Sequence, residues 1–290
     1  MQRIIQDLAA QLLPVCDSEA EATSQAWQLL EHVLGKQKKQ LLLQNPVTLS
    51  PGQTAQLTDL VLQRVIARRP LQYLLGIVPF KELMIKVSPP TLIPRPETEE
   101  WVSWLIEKLQ PVSKEPLRIL DLCTGSGCIA LALAKAFPRA EVWGIDIAEQ
   151  AIALAQENAL HNHITNVRFV CADLWEGVPF GLQFDLIVAN PPYITPAEYE
   201  QLQPEVLLWE DVRALKAEQQ GLAVYARIAQ EAWSRLYKNS ILANNSLPVL
   251  VMELGTDPAG VQELFAHMGF SKLVLQKDLQ QVYRWLAGRI

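Results

Sequence analysis

A run of buried-type residues, Leu186–Ala189, follows Asp185 and stops at Asn190-Pro191-Pro192-Tyr193. No other stretch of the chain limits its fold as tightly. The run is short and apolar on both faces, which is the pattern of a fully buried strand. Two consecutive prolines cannot continue a central strand, so the chain must leave the sheet at Asn190. In open α/β sheets, ligands bind beyond the carboxyl ends of strands, where this turn falls.

The turn has a chemistry of its own. The Asn190 side chain carries one acceptor and two donor hydrogens. Pro191 and Pro192 withhold backbone donors and leave carbonyls that need a partner, and Tyr193 offers a flat aromatic wall. Together they suit a planar group bearing an NH2, whose two hydrogens can go to the Asn190 oxygen and to a backbone carbonyl. Taken alone, the turn is equally well read as a strand end.

Residues 1–70 read as helices. Trp27, Leu30, Val33 and Leu34 share one face and Gly35 stops that helix. Lys36, Lys38 and Lys39 read as a solvated basic turn. Ser50-Pro51 is an N-cap with proline at the first helical position, opening a helix striped with Leu57, Leu60, Val61 and Val65. Ile77–Phe80 and Leu83–Val87 predict a β-hairpin. Leu92–Glu99 then leads stiffly into a helix with Trp101, Trp104 and Leu105.

From residue 117 strands and helices alternate. Strands are predicted at Leu117–Leu122, Glu141–Ile145, Val167–Cys171, Phe184–Ala189 and Pro248–Glu253, with helices between, including Gly127–Ala136 and Ala148–Leu160. That alternation implies a mostly parallel sheet with helices on both faces. Lys272–Leu275 and Gln281–Leu286 read as an antiparallel hairpin at the sheet edge. The expected division is a helical domain at 1–72, a hairpin linker at 73–90 and an α/β domain at 91–290.

Composition excludes several classes. No apolar run reaches the ~18–20 residues that span a bilayer, and the N-terminus lacks the pattern of a signal peptide. Cys16, Cys123, Cys128 and Cys171 are scattered with no Cys-x-x-Cys, and the four histidines form no ligand motif, with His161 and His163 read as lying in a polar loop. No metal site is therefore expected, and a reducing cytoplasm fits. The net charge is −6; residues 1–90 hold nine Lys/Arg against seven Asp/Glu, or +2, which leaves −8 for the rest. An acidic larger domain is a poor generic binder of nucleic acid.

A second constellation lies on the other strands. Asp121-Leu122-Cys123-Thr124-Gly125-Ser126-Gly127 follows the first strand of the sheet and opens a helix, where glycines let backbone approach a ligand closely. It lacks both the full dinucleotide glycine spacing and the Lys-Ser/Thr of a P-loop, which disfavours nicotinamide and triphosphate ligands. Asp146, ending the second strand, can accept both hydroxyls of a ribose or can merely cap a helix. Asp173, after the third, can meet an adenine edge. Together they suggest adenosine without phosphates.

These residues resemble the motifs of S-adenosylmethionine-dependent class I methyltransferases, and the Asn-Pro-Pro-Tyr resembles those that methylate planar amino or amide nitrogens. The resemblance narrows with Arg69–Gly76, Leu92–Glu99, the helical N-terminus, Glu253-Leu254-Gly255, Gly269-Phe270, Asp278 and Arg284. Over essentially its whole length the chain resembles the release-factor glutamine methyltransferases, the PrmC/HemK family. The resemblance implies a Rossmann-like, mostly parallel seven-stranded sheet with a small N-terminal helical domain joined by a β-hairpin. It implies methylation of the Gln amide in the Gly-Gly-Gln loop of class I peptide-chain release factors, with S-adenosylmethionine as donor, S-adenosylhomocysteine as product and no metal. By matching position, Cys123, Thr124, Gly125, Ser126 and Gly127 would line the methionine part of the cofactor. Asp146 would hold the ribose, and Asp173 and Leu174 would border the adenine. Asn190, Pro191, Pro192 and Tyr193 would hold the substrate amide, with Asn190 also near the cofactor. The helical domain would dock the release factor, and the protein would be a cytoplasmic monomer.

Three departures stand out. Cys123 occupies a position where the family usually has Gly. Leu174 replaces a usual Trp, with Trp175 one place late. Asp211 replaces a Pro, and Lys216–Gln220 lack the usual glycines, in a segment (209–221) expected over the substrate mouth. Two other functions share parts of this pattern: an N6-adenine or other nucleic-acid methyltransferase, and a non-catalytic binding module on the same fold. The −8 domain weighs against the first, and intact Asn190 and Asp146 against the second.

Overall fold

The hairpin pairs β1 (Ile77–Phe80) with β2 (Leu83–Lys86). We describe it from a computed structural model covering residues 1–43, 48–270 and 272–289. Phe80, Leu83 and Ile85 are buried while Met84 is exposed, the alternation of a half-covered sheet. The open edge of β2 is closed by two side-chain amides one helical turn apart. Asn158 accepts from the Lys86 N–H at 2.7 Å and donates to its carbonyl at 3.0 Å. Asn162 does the same for Met84, at 3.0 and 2.9 Å. These amides satisfy backbone groups that a third strand would otherwise take.

The remaining strands are β3 (Arg118–Leu122), β4 (Glu141–Asp146), β5 (Val167–Cys171), β6 (Leu186–Ala189), β7 (Leu250–Glu253), β8 (Lys272–Lys277) and β9 (Tyr283–Arg289). They form one seven-stranded sheet in the order β5-β4-β3-β6-β7-β9-β8. The first five are parallel, and β9 is antiparallel to both its neighbours. Strand β6 sits mid-sheet with all four residues buried, as a strand covered on both faces must. The order reverses at β3: β4 lies on one side and β6 on the other. That reversal opens a crevice at the carboxyl ends of β3, β4 and β6.

Several boundaries differ from expectation. Phe184 stands outside β6, in an isolated bridge to Leu236. The last hairpin places β9 between β7 and β8, so of its two strands β8 alone lies at a sheet edge, opposite the edge formed by β5. Lys38 and Lys39 begin a helix, Lys38–Leu43, rather than a turn. His161 closes the helix Glu149–His161 instead of lying in a loop. Short helices at Pro196–Tyr199, Pro204–Trp209 and Val212–Leu215 were not anticipated, because four to six residues give no period to read.

The chain divides into two compact units, Met1–Ile77 with Gln203–Trp209, and Val78–Leu202 with Glu210–Ile290. In the first, the helices Gln2–Leu12, Glu19–Leu34 and Pro51–Val65 bury Leu12, Leu29, Leu30, Leu57 and Val61. Gly35 ends the second of these helices in the left-handed region, at φ +62°. Ser50 starts the third, accepting from the Gln53 N–H while the Gln53 side chain accepts from Ser50 N–H. One charged group lies among the apolar residues. Arg64 donates to Glu205 at 2.8 Å, to Gln25 at 3.0 Å and to the Val15 carbonyl at 2.9 Å. Arg68 bonds the other Glu205 oxygen at 3.0 Å.

Candidate active site

The turn after β3 runs with three residues in the left-handed region: Cys123 at φ +60°, Gly125 at +54° and Gly127 at +80°. It is tied down on two sides. Thr124 N–H donates to the Ile145 carbonyl of β4 at 2.9 Å. Gly125 N–H donates to Asp146 Oδ2 at 2.8 Å. A Cβ on Gly125 would meet nothing within 4 Å, because that glycine faces an open cavity. A Cβ on Gly127 would come within 2.9 Å of Ala155 Cβ, so this glycine serves helix packing instead. Cys123 holds a conformation that L-residues rarely adopt outside Asn and Asp. Its thiol is kept neutral, pushed well above its ordinary value by burial and by the carboxylates of Asp146, Asp121 and Asp173.

The cavity lies in the crevice predicted by the strand order. Cys123, Gly125, Asp146, Asp173, Leu174, Asn190 and Pro192 all stand in its wall. Thr124, Ser126, Gly127, Pro191 and Tyr193 do not. Thr124 is buried and donates its hydroxyl to Asp121 at 2.6 Å, bracing the turn from behind. The Tyr193 ring packs on Gly255, and its hydroxyl lies 3.4 Å from Glu253 Oε1.

Asp146 accepts one backbone N–H on each oxygen, from Gly125 and from Ala148 at 2.9 Å. Each oxygen keeps a second lone-pair site. Burial raises its pKa despite both bonds. Asp173 is held by Arg227 at 2.9 Å, and Arg227 itself lines the cavity. Leu174 lies in the wall at φ +49°, while Trp175 is buried behind it and donates its indole N–H to the Arg227 carbonyl at 3.0 Å. The late tryptophan is thus spent on packing.

Segment 209–221 sends Asp211, Arg213 and Ala214 into the same wall. Asp211 pairs with Arg213 at 2.6 Å and accepts the Arg213 N–H at 2.9 Å. That pairing holds the Asp211 carboxyl below its usual range. Pro90, Thr91 and Leu92 also stand in the wall, and the Pro90 carbonyl accepts from Asp211 N–H at 2.7 Å. Arg227 and Pro90 carried no sequence signal, and Arg213 only that of its segment 209–221: an arginine in a helix reads as a solvated face until the fold brings it to a cavity. Among the described residues, no group of three or more His, Cys, Asp or Glu side chains is placed to hold a metal ion, and no helix is long and apolar enough to cross a membrane.

A mostly parallel seven-stranded sheet with its cavity at the β3–β6 reversal, ending in an antiparallel pair, defines a class I methyltransferase fold. A solved methyltransferase from Pyrococcus furiosus shares that fold, with a TM-score of 0.50 over 83% of this chain and 99% of its own, at 16% identity. Residues 102–236 match the methyltransferase small domain, and residues 6–76 match the PrmC N-terminal domain. The chain is 37% identical over 262 residues to the release factor glutamine methyltransferase of Thermodesulfovibrio yellowstonii, covering 90% of each. It is 38% identical, again over 90% of each, to that of Salmonella typhimurium. The protein belongs to the release factor glutamine methyltransferase family.

Proposed function

We propose that this protein transfers a methyl group from S-adenosylmethionine to the side-chain amide nitrogen of the Gln in the Gly-Gly-Gln loop of class I peptide-chain release factors. The observation that carries the reading is the likeness to release factor glutamine methyltransferases along 90% of the chain, in a chain whose cavity wall holds Asn190 and Pro192.

The cavity residues suit this cofactor. S-adenosylmethionine, when bound, supplies an electrophilic methyl on a positively charged sulfonium. The wall holds three carboxylates, Asp146, Asp173 and Asp211, against two arginines, Arg213 and Arg227, and the one negative charge left over favours a cation. Asp146 has lone pairs left for ribose hydroxyls, and Gly125 leaves room for a ligand close to the backbone. Leu174 and Ile145 give an apolar floor for a base.

An amide nitrogen is a poor nucleophile, because its lone pair is shared with the carbonyl. The protein's means are therefore position and hydrogen bonding. Asn190 Oδ1 and the Pro191 carbonyl accept the amide hydrogens, favouring positive charge as it develops on nitrogen. The proton leaves to water after transfer. The unit formed by Met1–Ile77 and Gln203–Trp209 serves as the docking surface for the rest of the release factor, since one loop offers few contacts for recognising a whole protein.

The test is mass spectrometry of a purified release factor after incubation with the protein and S-adenosylmethionine. One added methyl on the Gln of the Gly-Gly-Gln peptide is expected. No transfer to that Gln, or transfer to adenine in DNA offered alongside, would overturn the reading.

A further inference from the structure

A side-chain amide is nearly symmetric in shape, so a turn at a strand end can hold Asn190 either way round. The two ways are opposite in chemistry. One offers the cavity an acceptor, and the other offers two donors. A buried chain of hydrogen bonds selects between them. Asn190 Nδ2 donates to Thr98 Oγ1 at 3.2 Å, and Thr98 Oγ1 donates to Glu253 Oε2 at 2.6 Å. Trp101 Nε1 donates to the same Glu253 oxygen at 2.8 Å. Thr98, Trp101 and Glu253 are 2%, 0% and 1% exposed, so water does not compete.

The direction of the chain follows from its far end. An indole N–H is a donor and nothing else, and in the ionised form of Glu253, which the Thr98 and Trp101 bonds favour against burial, Oε2 only accepts. Thr98 has one hydroxyl proton and gives it to that oxygen, in the short geometry of a strong bond. What Thr98 then turns toward Asn190 is a lone pair, which only the NH2 end of the amide can meet. A reversed Asn190 would set oxygen against oxygen in a dry site, leaving two acceptors unsatisfied. Asn190 Oδ1 has no hydrogen-bond partner among the described residues, and Asn190 stands in the cavity wall.

We infer that the buried chain Trp101–Glu253–Thr98 fixes the polarity of Asn190, with Thr98 as its positioning residue, so that the cavity is offered Oδ1 and selects substrates that present N–H donors. This deepens the proposed function and rests on it for the identity of the substrate. The orientation of Asn190 does not depend on that reading.

The experiment measures hydrogen exchange of the Asn190 side-chain NH2 by ¹⁵N NMR in the full-length protein, the signal being assigned by its loss in Asn190→Ala. Wild type, Thr98→Ser and Thr98→Val are compared, and each is assayed for kcat on a purified release factor and for S-adenosylmethionine affinity. Slowed exchange is expected in wild type and in Thr98→Ser. In Thr98→Val it should become fast, with kcat down about 10²-fold and cofactor affinity within a few-fold. Exchange in wild type as fast as that of a solvated Asn overturns the inference, whether or not Thr98→Val folds. So does a Thr98→Val protein that keeps both protection and kcat. If the exchange pattern holds but wild type methylates no release factor, the orientation stands and the proposed function falls.

Discussion

Replacing Asp121 with Asn should change how stability depends on pH. Asp121 is fully buried, and its Oδ2 accepts from the Thr124 hydroxyl at 2.6 Å and from the Ala130 N–H at 3.1 Å. Its Oδ1 has no partner among the described residues. Burial, with a smaller push from Asp146, raises the carboxyl from 3.8 to about 7, against the pull of its two hydrogen bonds. A carboxyl whose pKa is raised by folding binds a proton more tightly when folded. Stability is therefore fully present at low pH and is lost as pH rises through the folded value. Between pH 5 and 8 the unfolded group is ionised throughout while the folded one gives up its proton, a loss of roughly 2–3 kcal/mol. Asn has the shape of the protonated acid and does not titrate. Its variant should therefore gain on wild type by that amount between pH 5 and 8, or roughly 4–12 °C in Tm for a unit of this size. Thermal denaturation at four pH values, without cofactor, reads this directly. Parallel curves for the two proteins would refute the reasoning, because they would mean that Asp121 titrates alike folded and unfolded.

Asn190→Ala should lower turnover on a release factor ~10²–10³-fold while S-adenosylmethionine affinity stays within a few-fold; a variant keeping more than half of wild-type turnover would remove Asn190 from the substrate site. Asp146→Ala should weaken S-adenosylmethionine roughly ten- to a hundredfold by calorimetry, and unchanged affinity would mean that the acid only braces Gly125 and Ala148. Glu205→Ala leaves Arg64, whose side chain is 6% exposed, without its anion. Urea denaturation followed at Trp27 or Trp209 should show a loss of roughly 3–5 kcal/mol in the helical unit, and a loss under 1 kcal/mol would mean that water or another group replaces the pair.

Much of this protein was written in local pattern. Period and turn chemistry placed the parallel strands, the hairpin, the caps at Gly35 and Ser50, and the antiparallel pair at the end, because each depends on residues near in sequence. The strand ends Cys123–Gly125, Asp146, Asp173 and Asn190 were legible for a further reason. In a parallel sheet every strand delivers its carboxyl end to the same edge, so naming the strands already brings those residues together. What local pattern could not carry is the role of each neighbour within the turns. Gly125 and Gly127 look alike in sequence, yet one faces the cavity and the other faces Ala155. Thr98, Trp101 and Glu253 meet Asn190 only because β6 and β7 are neighbours in the sheet and the helix Pro96–Leu109 lies against them. Arg227 reaches Asp173 from a helix 54 positions further along the chain, and Glu205 joins a helical unit that otherwise ends at Ile77. Such pairings are settled by packing over long loops, whose closure cost rises only slowly with length and so leaves no mark in local sequence.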